Sequence, residues 1–189
     1  GGLRQEQVFE TLDYIGEEAL RAGDIIHGVR AMVRSKSSLR VPCDVNRLIT
    51  DAARLARVDP RLQGLELRLE LGAPLAPVLA DGVQIQQVLL NLIVNGAEAM
   101  ERGNGGAADI VVQTAQDESM VCVSVSDQGA GLAPAVEKEL FRPFFTTKRG
   151  GMGMGLSISR TIIEFHGGRL WFTANQTRGT TFHFALPRA

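Results

Sequence analysis

The stretch beginning at Asp81 carries the first side chains that could do chemistry. Its apolar residues, from Val83 and Ile85 through Val88–Leu90 and Leu92–Val94 to Met100, cover most of a helix circumference. Gln84, Gln87, Asn91, Asn95 and Glu98 interrupt them at spacings of 3, 4, 4 and 3, so they share one face. A helix this apolar is expected to be buried, and buried amides need partners. The carbonyl oxygens of Asn91 and Asn95 would suit a hard cation such as Mg²⁺. A solvent-facing polar stripe on an amphipathic helix fits the same spacing. Further along, Asp127-Gln128-Gly129-Ala130-Gly131 follows a strand-like run. An aspartate there can accept a hydrogen bond from an exocyclic amine, and the glycines let a ligand approach the backbone; a plain turn is the alternative. Gly150-Gly151-Met152-Gly153-Met154-Gly155 leads into a helix expected from Leu156. Free N–H groups and the positive dipole end there suit phosphate, with Lys148 and Arg149 just upstream to neutralise its charge. The glycine run matches neither the P-loop pattern nor the dinucleotide fingerprint, and a mobile loop is its alternative. Phe141, Phe144 and Phe145 around Pro143 would anchor a lid over such a pocket, or serve as plain core.

These groups need elements to hold them. Residues 3 to about 37 read as one long helix, because Val8, Leu12, Ile15, Ala19, Ala22, Ile26, Val29 and Val33 step by alternating fours and threes. Gly16, Gly23 and Gly28 each cost about 1 kcal/mol relative to Ala in a helix, so packing must hold that seam together. Asp44 caps a helix to about Val58. Glu66–Leu71 alternates as a half-buried strand, and a short strand leads into Asp81. Asp81 with Gln84 makes a capping box for a helix to about Arg102. Strands are expected at 108–115 and 119–126, a loop at 128–155, a helix at 156–165 closed by Gly167-Gly168, and a final hairpin at 169–174 and 180–186. This order predicts an α+β fold, helices on one face of a mixed sheet.

The composition is that of a globular chain. Its 189 residues carry 20 basic and 21 acidic side chains, a net charge of −1, with 44% hydrophobic residues. No strong field points to nucleic acid or to a membrane surface, and no apolar run approaches the ~20 residues of a span. Two cysteines, Cys43 and Cys122, fit no metal or redox spacing. The first residues carry no leader-like pattern, and a cytoplasmic placement is expected.

In this order, residues 44–187 resemble the ATP-binding catalytic domain of sensor histidine kinases, the Bergerat fold shared with DNA gyrase, a heat-shock chaperone family and mismatch-repair ATPases. The boxes are Gln87–Met100, Asp127–Gly131, Phe141–Lys148, Gly151–Ser157 and Gly179–Phe182. Phe144–Trp171 looks most similar to the oxygen-sensing, PAS-type kinases of nitrogen fixation. The resemblance implies a two-layer α/β sandwich, an ATP-binding domain over 39–189, and a partial dimerisation and phosphoacceptor helix over 3–38. It implies that Asn95 ligates Mg²⁺ at the ATP phosphates, with Asn91 beside it. Asp127 recognises the adenine amino group, supported by Thr180 through water. Gly129 and Gly131 admit the nucleotide, Gly151, Gly153, Gly155 and Leu156 form the lid and the phosphate-binding helix start, and Lys148 meets the outer phosphates. Many relatives carry a basic residue where this chain has Glu98, so charge neutralisation is expected to fall on Lys148 and Arg149. The implied partners are a second copy through the N-terminal helix and a response-regulator receiver domain.

The phosphoacceptor histidine is expected to be absent. His27 is followed by Gly28-Val29 rather than by an acid, and no proline comes soon after. His166 and His183 read as structural or surface residues. The resemblance leaves two alternatives to a kinase. A gyrase-like ATPase would place a glutamate at Asn91 to activate water, whereas an amide is no base near neutral pH. A non-catalytic module would use ATP only to order its lid and dimerise.

Overall fold

The computed structural model describes residues 39–59, 62, 64–72, 74–101, 109–148 and 151–189, together with 7–9, 11, 12, 16 and 23, which are helical. The rest of the helix expected over 3–38, including His27, lies outside the described residues, as do the turn at 103–106, Arg149 and Gly150.

The elements are β1 (Val41–Cys43), α1 (Val45–Ala56), β2 (Glu66–Leu71), β3 (Val78–Ala80), α2 (Gly82–Glu101), β4 (Asp109–Gln116), β5 (Met120–Ser126), α3 (Pro134–Glu137), α4 (Gly155–Phe165), β6 (Arg169–Ala174) and β7 (Thr180–Pro187). A five-stranded sheet runs β2-β4-β5-β7-β6. The β2–β4 pair is parallel and the other three pairs are antiparallel, so the sheet is mixed as expected. Alternate residues divide its faces. Ile110 and Val112 of β4, Val121, Val123 and Val125 of β5, and Phe182, Phe184 and Leu186 of β7 are buried in one core with Ile49, Ile85, Leu89, Leu92, Ile93, Ile162 and Ile163 of the helices. Gln113 and Ala115 are exposed and Cys122, Ser124 and Thr181 half-buried on the opposite, more polar face. The helices thus cover one face, giving the two-layer α+β arrangement. No helix among the described residues is long and apolar enough to cross a membrane.

Local chemistry explains the element ends. Asp44 accepts from Arg47 N at 3.2 Å and starts α1. Asp81 starts α2, its Oδ1 accepting from Val83 N at 3.0 Å and Gln84 N at 3.3 Å. The reciprocal half of the expected capping box does not form: the Gln84 side chain is 5% exposed and both of its amide atoms lack a hydrogen bond. Gly168 N closes α4 by donating to Ile163 O at 2.9 Å. Two further features depart from expectation. Val41–Cys43 is a strand, pairing antiparallel with β3, and the loop over 128–155 holds the one-turn helix α3, with Pro134 in its first turn.

Candidate functional site

Helices α2 and α4 meet in opposite directions. His166, just after α4, accepts from Asp81 N at 3.1 Å through Nε2. Ten residues along α2, Asn91 Nδ2 donates to Ser159 Oγ at 2.9 Å. The start of α4 is therefore delivered to Asn91. A Cβ at Gly155 would overlap Asn91 Oδ1, so any side chain there would push the Asn91 amide out of its place. The polar face of α2 is half-buried from Gln87 to Glu98, and Gln84 is buried, so it is not a solvent-facing stripe.

The start of α4 has no side-chain cap. Ile158 N, bonded to Met154 O at 2.9 Å, is the first donor the helix uses. The N–H groups of Gly155, Leu156 and Ser157 precede that ladder at the positive dipole end. Leu156 packs its side chain on the core, so what it offers a ligand is its N–H.

Asp127 lies directly after β5 and is 3% exposed. Its Oδ1 accepts from Gly129 N at 2.8 Å and Thr180 N at 3.3 Å. Burial pushes the carboxyl above its ordinary range, and those two donors pull it back down. Oδ2 makes no hydrogen bond and is not among the enclosed, unpartnered atoms of the described residues, so it is open to an incoming donor. The backbone of Thr180 is what meets Asp127, through the bond above and through its O, which accepts from Asp127 N at 3.0 Å. Gly129 lies against α2, where a Cβ would stand 2.7 Å from Ala99 O, and Gly131 lies beside Gly179.

Sequence reasoning missed the brace beneath this loop. Asn175 Nδ2 donates to Asp127 O at 2.8 Å, and Asn175 Oδ1 accepts from Thr181 Oγ1 at 2.6 Å. Arg178 Nε donates to Gly129 O at 3.0 Å. Gly179, at φ 94°, turns the chain so tightly that a Cβ would overlap Asp127 O. Ser159 was missed as well. An Asn four residues before Gly179, and a Ser one turn into α4, were the available signals.

The segment before α4 reaches the far end of the α2 face. Lys148 Nζ donates to Asn95 Oδ1 at 2.6 Å and pairs with the Glu98 carboxylate. The position accepts a cation and offers it hard oxygen donors, the set that Mg²⁺ also takes. The phenylalanines divide. Phe141 packs on the core with its ring 6.3 Å from that of Phe172, whereas Phe144 is 74% exposed at a φ of 65°. Gly151 lies against Thr146 and Lys148, and Gly153 against the backbone of Phe144 and Phe145, so both glycines stay with the segment.

The described histidines stand apart from this site. His166 is buried, with Nδ1 2.7 Å from Ile162 O, and burial lowers its pKa. His183 stacks on Trp171 at 5.1 Å, its ring nitrogens engaged by Ser124 and Thr173. Among the described residues no cluster of three or more His, Cys, Asp or Glu could hold a metal.

Open carboxylate, two amides and free helix N–H groups thus line one surface over α2 and α4. Residues 80–189 match the family described as histidine kinase-, DNA gyrase B- and HSP90-like ATPase. The chain is 46% identical over 184 residues to the sensor protein FixL of Bradyrhizobium diazoefficiens, covering 97% of this chain and 36% of that protein. It spans about a third of the length of the curated relatives it matches. The solved catalytic domain of the histidine kinase ThkA aligns with a TM-score of 0.69 at 33% identity, over 79% of this chain and 95% of that one. ThkA solved in complex with the response regulator protein TrrA aligns with a TM-score of 0.70 at 27% identity, over 90% and 49%.

Proposed function

The chain belongs to the histidine kinase-, DNA gyrase B- and HSP90-like ATPase family, and on that premise we propose that it is the ATP-binding catalytic region of a two-component sensor histidine kinase. The ATPase domain of histidine kinases binds ATP. The observation that carries the reading for this chain is the convergence of Asp127, Asn91 and Asn95 with the uncapped start of α4.

Each residue has a task that follows from its place. Asp127 accepts the adenine amino group on Oδ2 while its Oδ1 stays anchored to Gly129 and Thr180. The N–H groups of Gly155, Leu156 and Ser157 hold phosphate oxygens. Asn95 presents Oδ1 to the cation, and Asn91, fixed by Ser159, stands beside it. Mg²⁺, when bound, would neutralise phosphate charge there. Lys148, on the segment from 142 to 154, brings a second positive charge, and that segment acts as a lid over the nucleotide. The site so held orients the γ-phosphoryl for in-line attack by a histidine nitrogen of the dimerisation hairpin, with ADP leaving. Onward transfer goes to an aspartate of a response regulator. The N-terminal helix pairs with a second copy, and the site works on the cytoplasmic side.

Asn91 favours a kinase over a hydrolase. Its amide has no useful basicity, and its Nδ2 is already given to Ser159, so water is not deprotonated there. The chain with radiolabelled ATP should acquire no acid-labile label by itself. Adding a dimerisation hairpin that carries the acceptor histidine should put label on the hairpin. Tight ATP binding with an unlabelled hairpin would instead support a non-catalytic, ATP-gated module. Self-labelling lost in His27→Ala would make His27 the acceptor.

A further inference from the structure

Lys148 ties the segment before α4 to the end of α2 through a single ammonium group. Asn95 and Glu98 lie three residues apart on α2 and so present their oxygens on one side. Lys148 Nζ reaches both, at 2.6 Å for Asn95 Oδ1 and in an ion pair with Glu98. The Lys148 and Glu98 side chains are only 29% and 25% exposed, so water screens the pair less than an open surface pair. The backbone around Lys148 is otherwise held by short-range bonds: Phe145 N to Arg142 O, Lys148 N to Thr146 Oγ1 and Gly151 N to Lys148 O, at 3.1–3.3 Å. Among the described residues, the lysine gives this stretch its side-chain bonds to α2.

We infer that Glu98 is a positioning residue that parks the Lys148 ammonium on Asn95 Oδ1 in the nucleotide-free protein. This rests on the nucleotide reading of the site given above. An ammonium and a divalent ion on one amide oxygen repel each other at short range, so the two are alternatives there. Metal-loaded nucleotide takes Asn95 only when Lys148 gives it up. Glu98 keeps the released ammonium beside the phosphates instead of letting it swing into solvent. A carboxylate facing a polyphosphate site is repulsive on its own, and with the lysine on it the pair is neutral. The lysine is thus a tethered counter-ion that couples the lid segment to cation exchange at Asn95.

Two readouts test this on the chain as it stands. In nucleotide-free protein, amide exchange at Phe145, Lys148 and Gly151 should quicken about three- to tenfold in Glu98→Gln and in Lys148→Ala, because the lysine's hold on α2 is weakened or lost. The reversed pair, Glu98→Lys with Lys148→Glu, should bring exchange back toward the original rates. In calorimetry with ADP, Glu98→Gln should need about three- to tenfold less Mg²⁺ for half-maximal binding, since Asn95 is uncovered, whereas Lys148→Ala, which also removes a counter-ion and leaves the Glu98 carboxylate facing the phosphates, should bind ADP more weakly. Unchanged exchange in both single variants would overturn the inference. So would a raised Mg²⁺ requirement in Glu98→Gln, which would make Glu98 a metal ligand. Failure of the unmodified chain to bind ADP would count against the nucleotide reading instead, and the exchange measurement would still decide the latch.

Discussion

Asp127→Asn separates ligand recognition from folding more cleanly than any other change in the site. One carboxylate oxygen accepts two backbone N–H groups, so the asparagine must turn its carbonyl toward Gly129 and Thr180. Its NH₂ then replaces Oδ2, and a donor faces the exocyclic amine of adenine. A hydrogen bond to a charged acceptor contributes about 1.5–3 kcal/mol, so ATP affinity should fall roughly 10- to 150-fold. The fold should hold, because both backbone donors keep an acceptor. Burial of the charged carboxyl, the cause of its raised pKa, is relieved as well. The reversed polarity adds a second mark. An amide NH₂ can donate to the exocyclic carbonyl oxygen that inosine carries in place of the adenine amino group, so inosine triphosphate should lose much less affinity than ATP. Titration calorimetry with both nucleotides, beside thermal melts, reads all of this. A folded Asp127→Asn that binds ATP as before would refute the assignment of Oδ2 to the base.

Three further outcomes follow from the same geometry. Gly155→Ala forces a methyl onto Asn91 Oδ1 and should weaken ATP binding about tenfold or more with only a modest drop in melting temperature, read by nucleotide titration and calorimetric melts. Asn175→Ala leaves Asp127 O without its side-chain donor and Thr181 Oγ1 with Ser126 Oγ alone, and should cost about 1–2 kcal/mol in urea denaturation. His166 accepts the Asp81 N–H as a neutral ring, and burial depresses its folded pKa below the ordinary 6.5. Below that pH the unfolded chain takes a proton that the folded chain refuses, so stability is full above about pH 6.5 and falls as pH drops, by at most about 1.4 kcal/mol per unit. Denaturation at pH 7.5 and 5.5 should show this loss, and His166→Asn should lack its share.

What could be read from the sequence was what local spacing dictates. The shared face from Gln84 to Glu98, the glycines before α4 and the aspartate after β5 follow from helix and strand periods alone. Long alternating or amphipathic runs gave β2, α2, β5 and α4 close to their observed limits. What stayed hidden depends on contacts between distant residues. β1 has three residues and exists because β3 pairs with it. The parallel pairing of β2 with β4 cannot be read from either strand. The Asn175 and Arg178 brace acts across about fifty residues, on a loop whose place is set only once β5 and β7 are adjacent. Gln84 fits a capping box by spacing, yet burial drew its side chain away from the cap.

Glu98 shows how far one residue's meaning depends on such contacts. In the sequence it is an acid at a place expected to help neutralise phosphate, and it looks like a loss of one positive charge. In the fold its carboxylate meets Lys148, a residue fifty positions later in the chain. The carboxylate offsets the lysine while the two are paired, and the ammonium of the pair stands on the segment before α4 rather than on the rigid helix. A fixed charge on α2 would attract nucleotide equally in every lid position. A charge on the lid acts on phosphate only when the lid is over it, so the attraction for the phosphates also stabilises the closed arrangement. On the proposed reading, an acid rather than a base at position 98 therefore ties the counter-ion of the site to lid position.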